Sequence, residues 1–545
     1  MDVALRADRL VRARRIRASD DRLARVAALR AGRIVALSAQ PNDLDALVGP
    51  NTDVIDCGDL TIMAAFSDAH EHLMEAARNE PLVQMDGISS IEQMIQAIST
   101  RAERAADGDW VMTSMAWHES DLAENRMPTI EELDAASSTH PVLVRRGGHL
   151  GAANSAALAI AGVAPDTAWP GGTIGRRADG TPDGSLEGGA VYRVLAFAPP
   201  LSDDALLDGL RSASATYASL GVGAIREAMI SPHELGLYQT CAERGELSVR
   251  ARPLIRVPED LGIDGQHAFV DALGMHSGFG SDLLRVWGLK FVLDGGVEGG
   301  ALESPYTNDP TQQGHLNWAP DDMADVMSAA VANGWRVGTH AAGDRAVRTL
   351  LDVYERVQGA VTGIAPDALV VEHALLSSPE QRARAVSMGI PITVQHTLLW
   401  NMGSEMLTTW GADRTANVNP LDDWIARGAT LAVGTDLARP VNPLLNVWGM
   451  VTRGTRNAGI QGAPHAIDRA TAIDLYTRGS AALDREASWR GALAEGYAAD
   501  LIGYRDDPFE APLEELPDLT PALTLVDGRV VYDADARAAC ATAAG

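Results

Sequence analysis

Lysine is almost missing from this sequence. Of 45 basic residues among 545, all but Lys290 are arginine. A coding bias toward arginine accounts for the rest; it leaves open why one position kept an amine. Cysteine is nearly as scarce. Cys57, Cys241 and Cys540 stand far apart, which excludes both a disulfide framework and a CxxC metal site. No apolar run approaches the roughly 18 residues that a membrane span needs. The arginine-rich start has no apolar stretch of the secretory kind, and Asp2, Asp8, Asp20 and Asp21 among its arginines are wrong for a transit peptide. Basic charge is in deficit: the net charge of −28 argues against nucleic acid and anionic membrane partners. There is no internal repeat and no low-complexity segment. What is present is an ordinary soluble composition, 46% hydrophobic and 22% charged, and a cytoplasmic protein is expected. The length allows a large core and suggests two or more domains.

The stretch TIMAAFSDAHEHLMEA at 61–76 opens apolar, as a buried parallel strand should, and then sets His70 and His72 two residues apart. Alternation along a strand turns both imidazoles to one face, where they form half of a metal cage. Asp68 is two residues earlier on that face, so it is expected to orient a histidine.

Residues 1–60 read as short strands with turns, one at Gly32, and 499–508 and 523–535 repeat that style. A small β-sandwich built from both ends, 1–60 with 488–545, is therefore expected. Between them, apolar β-branched runs occur near 61–67, 221–226, 250–256, 285–293, 335–340, 368–373, 390–396 and 429–436. Helical patterns separate most of them, such as SPEQRARAVSMG with its closing glycine. Eight strands alternating with helices predict an α/β fold, a (β/α)8 TIM barrel over 61–487. The gap at about 85–215 is too long for a crossover and is read as an inserted subdomain covering the barrel mouth.

The polar residues closing these strands form a set. His70 and His72 close the first, Lys290 lies on the fourth, His340 closes the fifth, His373 the sixth and Asp436 the eighth. In a barrel the C-terminal strand ends converge on the active site, so the topology gathers these side chains in one place.

The chain resembles the amidohydrolase superfamily, in particular the family 3 branch with N-substituted formamide deformylases and D-aminoacylase-like proteins. The segments that carry the resemblance include FSDAHEH at 66–72, AWHESDL at 116–122, GGHLGAANSAAL at 147–158 and GGTIGRRADGTPDGSLEG at 171–188. LKFVLDGGVEGGALESPY at 289–306, THAAGDRAV at 339–347, VEHALL at 371–376, VQH at 394–396, VGTD at 433–436 and AEGYAADLIGYRDDP at 494–508 continue it. Matched position by position, the resemblance implies one or two divalent metals, zinc first among zinc, manganese, iron and cobalt. His70, His72 and Asp436 would serve one metal, His340 and His373 the other, with an N6-carboxylated Lys290 between them. Four positions depart from the family pattern: Ala64 and Ala65 where Pro-Gly is usual, Glu71 between the histidines, and His118.

The implied chemistry is hydrolysis of a non-peptide C–N bond in a small amide, an N-formyl or N-acyl amine. The alternatives are a cyclic amide, carbamate or urea substrate, or lyase or decarboxylase chemistry on the same scaffold. Asp436 would move the proton from water to the leaving nitrogen, and His396 would donate to the oxyanion. His149, Trp117 and His118 are the expected substrate contacts. A small-molecule amide is the expected partner, with a homodimer as the assembly.

Overall fold

Two parallel sheets carry the middle of the chain. One has three strands in the order Arg250–Ala251, Val222–Glu227, Phe66–Glu71. The other has six in chain order: Leu254–Arg256, Gly288–Val292, Val337–Ala341, Leu369–His373, Ile392–Val394 and Leu431–Val433. This computed structural model describes residues 6–19, 22–115, 117, 119–146, 150–169, 172–436 and 442–535. They divide into two compact units, one of the residues up to Met74 with those from Leu210 onward, the other Glu75–Gly209. The fold is mixed α/β.

Almost every residue of these parallel strands is buried, which their Val, Ile and Leu content requires of a sheet covered on both faces. Helices intervene, among them Pro320–Ala332, Asp344–Ala360 and Pro379–Ser387. Ser378 caps the last of these, exchanging hydrogen bonds with Gln381, and Gly389 follows its end with φ +71°. Two apolar runs divide in ways the periodicity did not predict. The third strand breaks at Pro253, which has no N–H to give the ladder. The run at 61–67 splits at Ala65: Thr61–Ala64 joins a different sheet from Phe66–Glu71.

That different sheet takes strands from both ends of the chain. Its order is Arg529–Asp533, Leu523–Val526, Leu501–Tyr504, Thr61–Ala64, Arg9–Arg17, Leu23–Arg30, Arg33–Ser38, with Asp53–Asp56 alongside Arg9–Arg17. Leu501 faces Ala64 and Tyr504 faces Thr61 across an antiparallel pair. Two of its hairpins turn on residue pairs with both φ positive, Ala31–Gly32 and Asp527–Gly528, the backbone that matches strand twist in a two-residue turn.

The second unit holds a five-stranded sheet: Gly172–Arg176, Pro182–Gly188, Leu150–Ala153, Val142–Arg146, Val111–Met112. Ile91, Met94 and Ile98 of the helix Ile91–Ala102 pack with Leu133, Val142 and Val144 in its core.

Candidate metal centre

Register brings the strand-end residues together. Val292 pairs with His340 and Ala341 with His373, so the strands bearing Lys290, His340 and His373 are consecutive neighbours. The turn after Leu431–Val433 meets the first strand where the Asp436 N–H donates to the His70 carbonyl at 2.9 Å. Asp436 Oδ1 then lies 3.2 Å from His72 Nε2 and 3.6 Å from His70 Nε2, and Oδ2 lies 3.8 Å from His373 Nδ1. Ring centroids of His70 and His373 are 4.6 Å apart, those of His340 and His373 4.4 Å. Potential ligand atoms of His70, His373 and Asp436 lie within 4.8 Å of one another. His373 and Asp436 have φ of +76° and +58°. Such left-handed backbone on non-glycine residues costs about 1–3 kcal/mol and gathers at functional sites.

The electrostatics favour neutral imidazoles. Burial, with Lys290 adding to it, pushes His70 and His340 down to about 4, and burial also takes His373 well below the ordinary histidine value. His72 goes the other way: burial opposes its charge, but the hydrogen bond and charge of Asp436 raise it. Asp436 is held well below the usual carboxylate range, because the surrounding histidines outweigh burial. Lys290, 2% exposed, is pushed down to about 8 by burial against the pull of Glu372 and Asp436.

What orients these side chains differs from the expectation at one point. Asp68 does not reach a ring. It accepts the backbone N–H of His70 at 3.1 Å and of Thr435 at 3.0 Å, and the Thr435 hydroxyl, so it ties the first strand to the last. The carboxylate on His70 is Glu372, whose Oε2 is 2.7 Å from Nδ1. His70 Nε2 is left buried without a hydrogen-bond partner among the described residues. His373 Nδ1 meets Gln395 Oε1 at 2.6 Å, and His340 Nε2 meets the Gly295 carbonyl at 3.1 Å with Asp294 at 3.5 Å. One nitrogen of each of these rings is thus committed, Nδ1 in His70 and His373 and Nε2 in His340, and in His70 the other, Nε2, is left to ligate. Asp294, pushed up to about 7 by burial, is fixed by the N–H groups of Ala301, Ala342 and Gly343.

Glu372, Gln395 and Arg226 went unnoticed in the sequence. An acid inside the apolar strand LVVEH was the available signal, since a buried carboxylate needs a partner. His396 opens the helix His396–Trp410 and is buried against Arg453, with Nδ1 3.4 Å from Nη1, and against Gly449. From that strand end it is Gln395 that touches a cage histidine, His373. Trp117 is buried in the core of the second unit, where Nε1 donates to the Arg145 carbonyl at 2.7 Å. His118 and His149 lie outside the described residues.

Residues 53–532 match the amidohydrolase family. An N-substituted formamide deformylase of Arthrobacter pascens is 25% identical over 529 residues, 93% of this chain and 95% of that protein. The Arabidopsis thaliana protein LONG AFTER FAR-RED 3 is 27% identical over 444 residues, 78% of this chain and 74% of its own. An uncharacterized metal-dependent hydrolase from Pyrococcus horikoshii OT3 superposes with a TM-score of 0.75 at 22% identity, covering 93% of this chain and 99% of that one. At that identity the likeness is one of fold.

Proposed function

The chain belongs to the amidohydrolase family, and from that premise we propose that it is a metal-dependent hydrolase of a non-peptide carbon–nitrogen bond. Its substrate class is a small N-formyl or N-acyl amine, a choice supported by the likeness to an N-substituted formamide deformylase. The two parallel sheets are read as arcs of one (β/α)8 barrel, joined where Asp436 meets His70.

One observation carries the reading: His70 Nε2 is buried, without a hydrogen-bond partner among the described residues, and faces Asp436 among imidazoles held neutral. Neutral imidazoles and a carboxylate are the donors that zinc and related divalent metals take, so the residues fit such an ion. His70, His72 and Asp436 would hold one metal and His340 and His373 a second, with carboxylated Lys290 bridging. A metal held there supplies a Lewis acid that lowers the pKa of water from about 15.7 to about 7. Asp436, kept ionised, accepts the proton of the attacking water at Oδ and returns it to the nitrogen that leaves, since an amine departs poorly as an anion. His72 Nε2, partly exposed and 3.2 Å from Asp436 Oδ1, stands beside that carboxylate, where both could face one ion. His118 and His149 stay as proposed substrate contacts and His396 as a proposed oxyanion donor.

The test is removal and return of metal. Protein dialysed against a strong chelator should lose activity on a panel of N-substituted formamides and N-acetyl amines, and zinc or manganese should restore it. The products should be one amine and one carboxylic acid. Full turnover by rigorously metal-free protein overturns the reading.

A further inference from the structure

A buried hydrogen-bond chain leads from one ion pair to two of the cage histidines. Arg226 donates from Nη2 to Glu372 Oε1 at 2.7 Å and from Nη1 to the Ala69 carbonyl at 3.1 Å. Glu372 Oε2 accepts from His70 Nδ1 at 2.7 Å and from the Thr393 hydroxyl. Thr393 Oγ1 in turn accepts from Gln395 Nε2 at 3.0 Å, and Gln395 Oε1 lies 2.6 Å from His373 Nδ1. His70, Glu372, Thr393 and Gln395 are fully buried.

The chain has a direction, set at its charged end. A carboxylate paired with a guanidinium can only accept hydrogen bonds. The Thr393 O–H must therefore point at Glu372, which leaves its lone pair for Gln395. That fixes which way the Gln395 amide lies, with Nε2 on Thr393 and Oε1 toward His373. An amide oxygen can only accept as well, so His373 carries its proton on Nδ1 and presents a lone pair at Nε2. His70 is set in the same state by Glu372 directly.

We propose that Glu372, rooted on Arg226, specifies the tautomers of both His70 and His373, the second by relay through Thr393 and Gln395. One carboxylate then prepares a ligand for each of the two metal positions. Glu372, Thr393 and Gln395 are positioning residues, acting through the histidines. The effect on metal affinity rests on the proposed metal cage; the tautomers do not.

Thr393→Val keeps the shape and removes the hydroxyl, freeing the Gln395 amide to turn over. Thr393→Ser keeps the hydroxyl. Metal-free protein labelled with nitrogen-15 histidine would be compared by NMR, with His70 and His373 assigned from difference spectra of their Asn variants. Wild type should show both rings protonated at Nδ1. In Thr393→Val the His373 ring should move toward Nε2–H while His70 stays, and Thr393→Ser should restore the wild-type pattern. Zinc affinity, from chelator competition, should fall by about tenfold in Thr393→Val and return in Thr393→Ser, the range found when a metal ligand loses its orienting partner. Should Thr393→Val not fold, Gln395→Met carries the same comparison. An unchanged His373 tautomer in folded variant, or a serine variant behaving as the valine one, overturns the relay. Wild type that takes up no zinc overturns the metal cage, and the tautomer pattern still decides the relay.

Discussion

Arginine at position 290 would keep the charge and lose the chemistry. Guanidinium does not shed its proton in a protein, whereas burial brings the Lys290 amine down to about 8. At pH 7.5 roughly one such amine in four is neutral, against about one in a thousand at the ordinary 10.5. Only the neutral amine adds carbon dioxide to give a bridging carbamate. The carboxylates that act on Lys290 are Glu372 and Asp436, while Asp294 is occupied by backbone N–H groups. Reconstitution with metal should therefore need bicarbonate, and its extent should rise with pH through a midpoint at about 8 as the amine deprotonates. Lys290→Arg should lose most activity and about half the bound metal, read by turnover and metal analysis; equal reconstitution in carbonate-free buffer counts against the bridge. The histidines, Lys290 and Asp436 were legible because each is a polar group at the end of, or alone within, an apolar run. Arg226 and Glu372 were not, because their partners lie 146 and 302 residues away along the chain, and no local pattern records such pairings.

A strand can matter for the atom it lacks. Gly338, in the strand Val337–Ala341, faces the Glu372–Arg226 pair so closely that a Cβ there would sit 2.4 Å from Glu372 Oε1 and 2.7 Å from Arg226 Nη2. Leu254 Cδ2 closes the third side at 2.8 Å. Arg226 cannot retreat easily, since its guanidinium stacks on the Trp287 ring at 3.7 Å and Arg336 stacks on that ring at 3.8 Å. Gly338→Ala should thus cost about 1–3 kcal/mol as overpacking, seen as a lower urea midpoint, and should weaken zinc binding because Glu372 shifts under His70. A variant with wild-type midpoint and zinc affinity would mean that the pair has room to move. Element types were legible wherever the apolar period was long and bounded by Gly or Pro, as for 368–373. Where one apolar run serves two sheets, as at 61–71, periodicity reads a single strand. The division is made by the Ala65 N–H bonding to Asp500, over four hundred residues away, and sequence pattern cannot see it.

At the scale of the whole molecule, the C-terminal segment is tied beneath the His70 strand by charge in the interior. Glu486, 1% exposed, takes Arg252 at 2.9 and 3.1 Å and Arg490 at 2.7 Å, and Arg285 reaches it at 3.3 Å. Arg490 also binds Asp484 and, at 2.8 Å, the hydroxyl of Ser67 in the strand Phe66–Glu71. Burial opposes the charge on Glu486, but Arg490 and Arg252 outweigh it and lower its pKa. Placing these ions inside is expensive, so the cluster adds less stability than its bonds suggest; removing one member is another matter, because it strands the others. Glu486→Gln keeps the shape and removes the carboxylate that Arg252 and Arg490 share, leaving them the charge of Asp484. The expected loss is about 3–5 kcal/mol, the usual cost of breaking a buried pair, read as a fall in urea midpoint. The sign in pH follows from the lowered pKa: the stabilisation is present above the ordinary glutamate range and is lost as pH falls through the folded value, so wild type should lose part of its midpoint in acid and Glu486→Gln should lose less. Asp474→Asn is the control. It breaks the pair with Arg478, whose side chains are 43% and 56% exposed, and water replaces the partner there. Equal shifts in the two variants would show that the interior cluster is solvated like the surface pair.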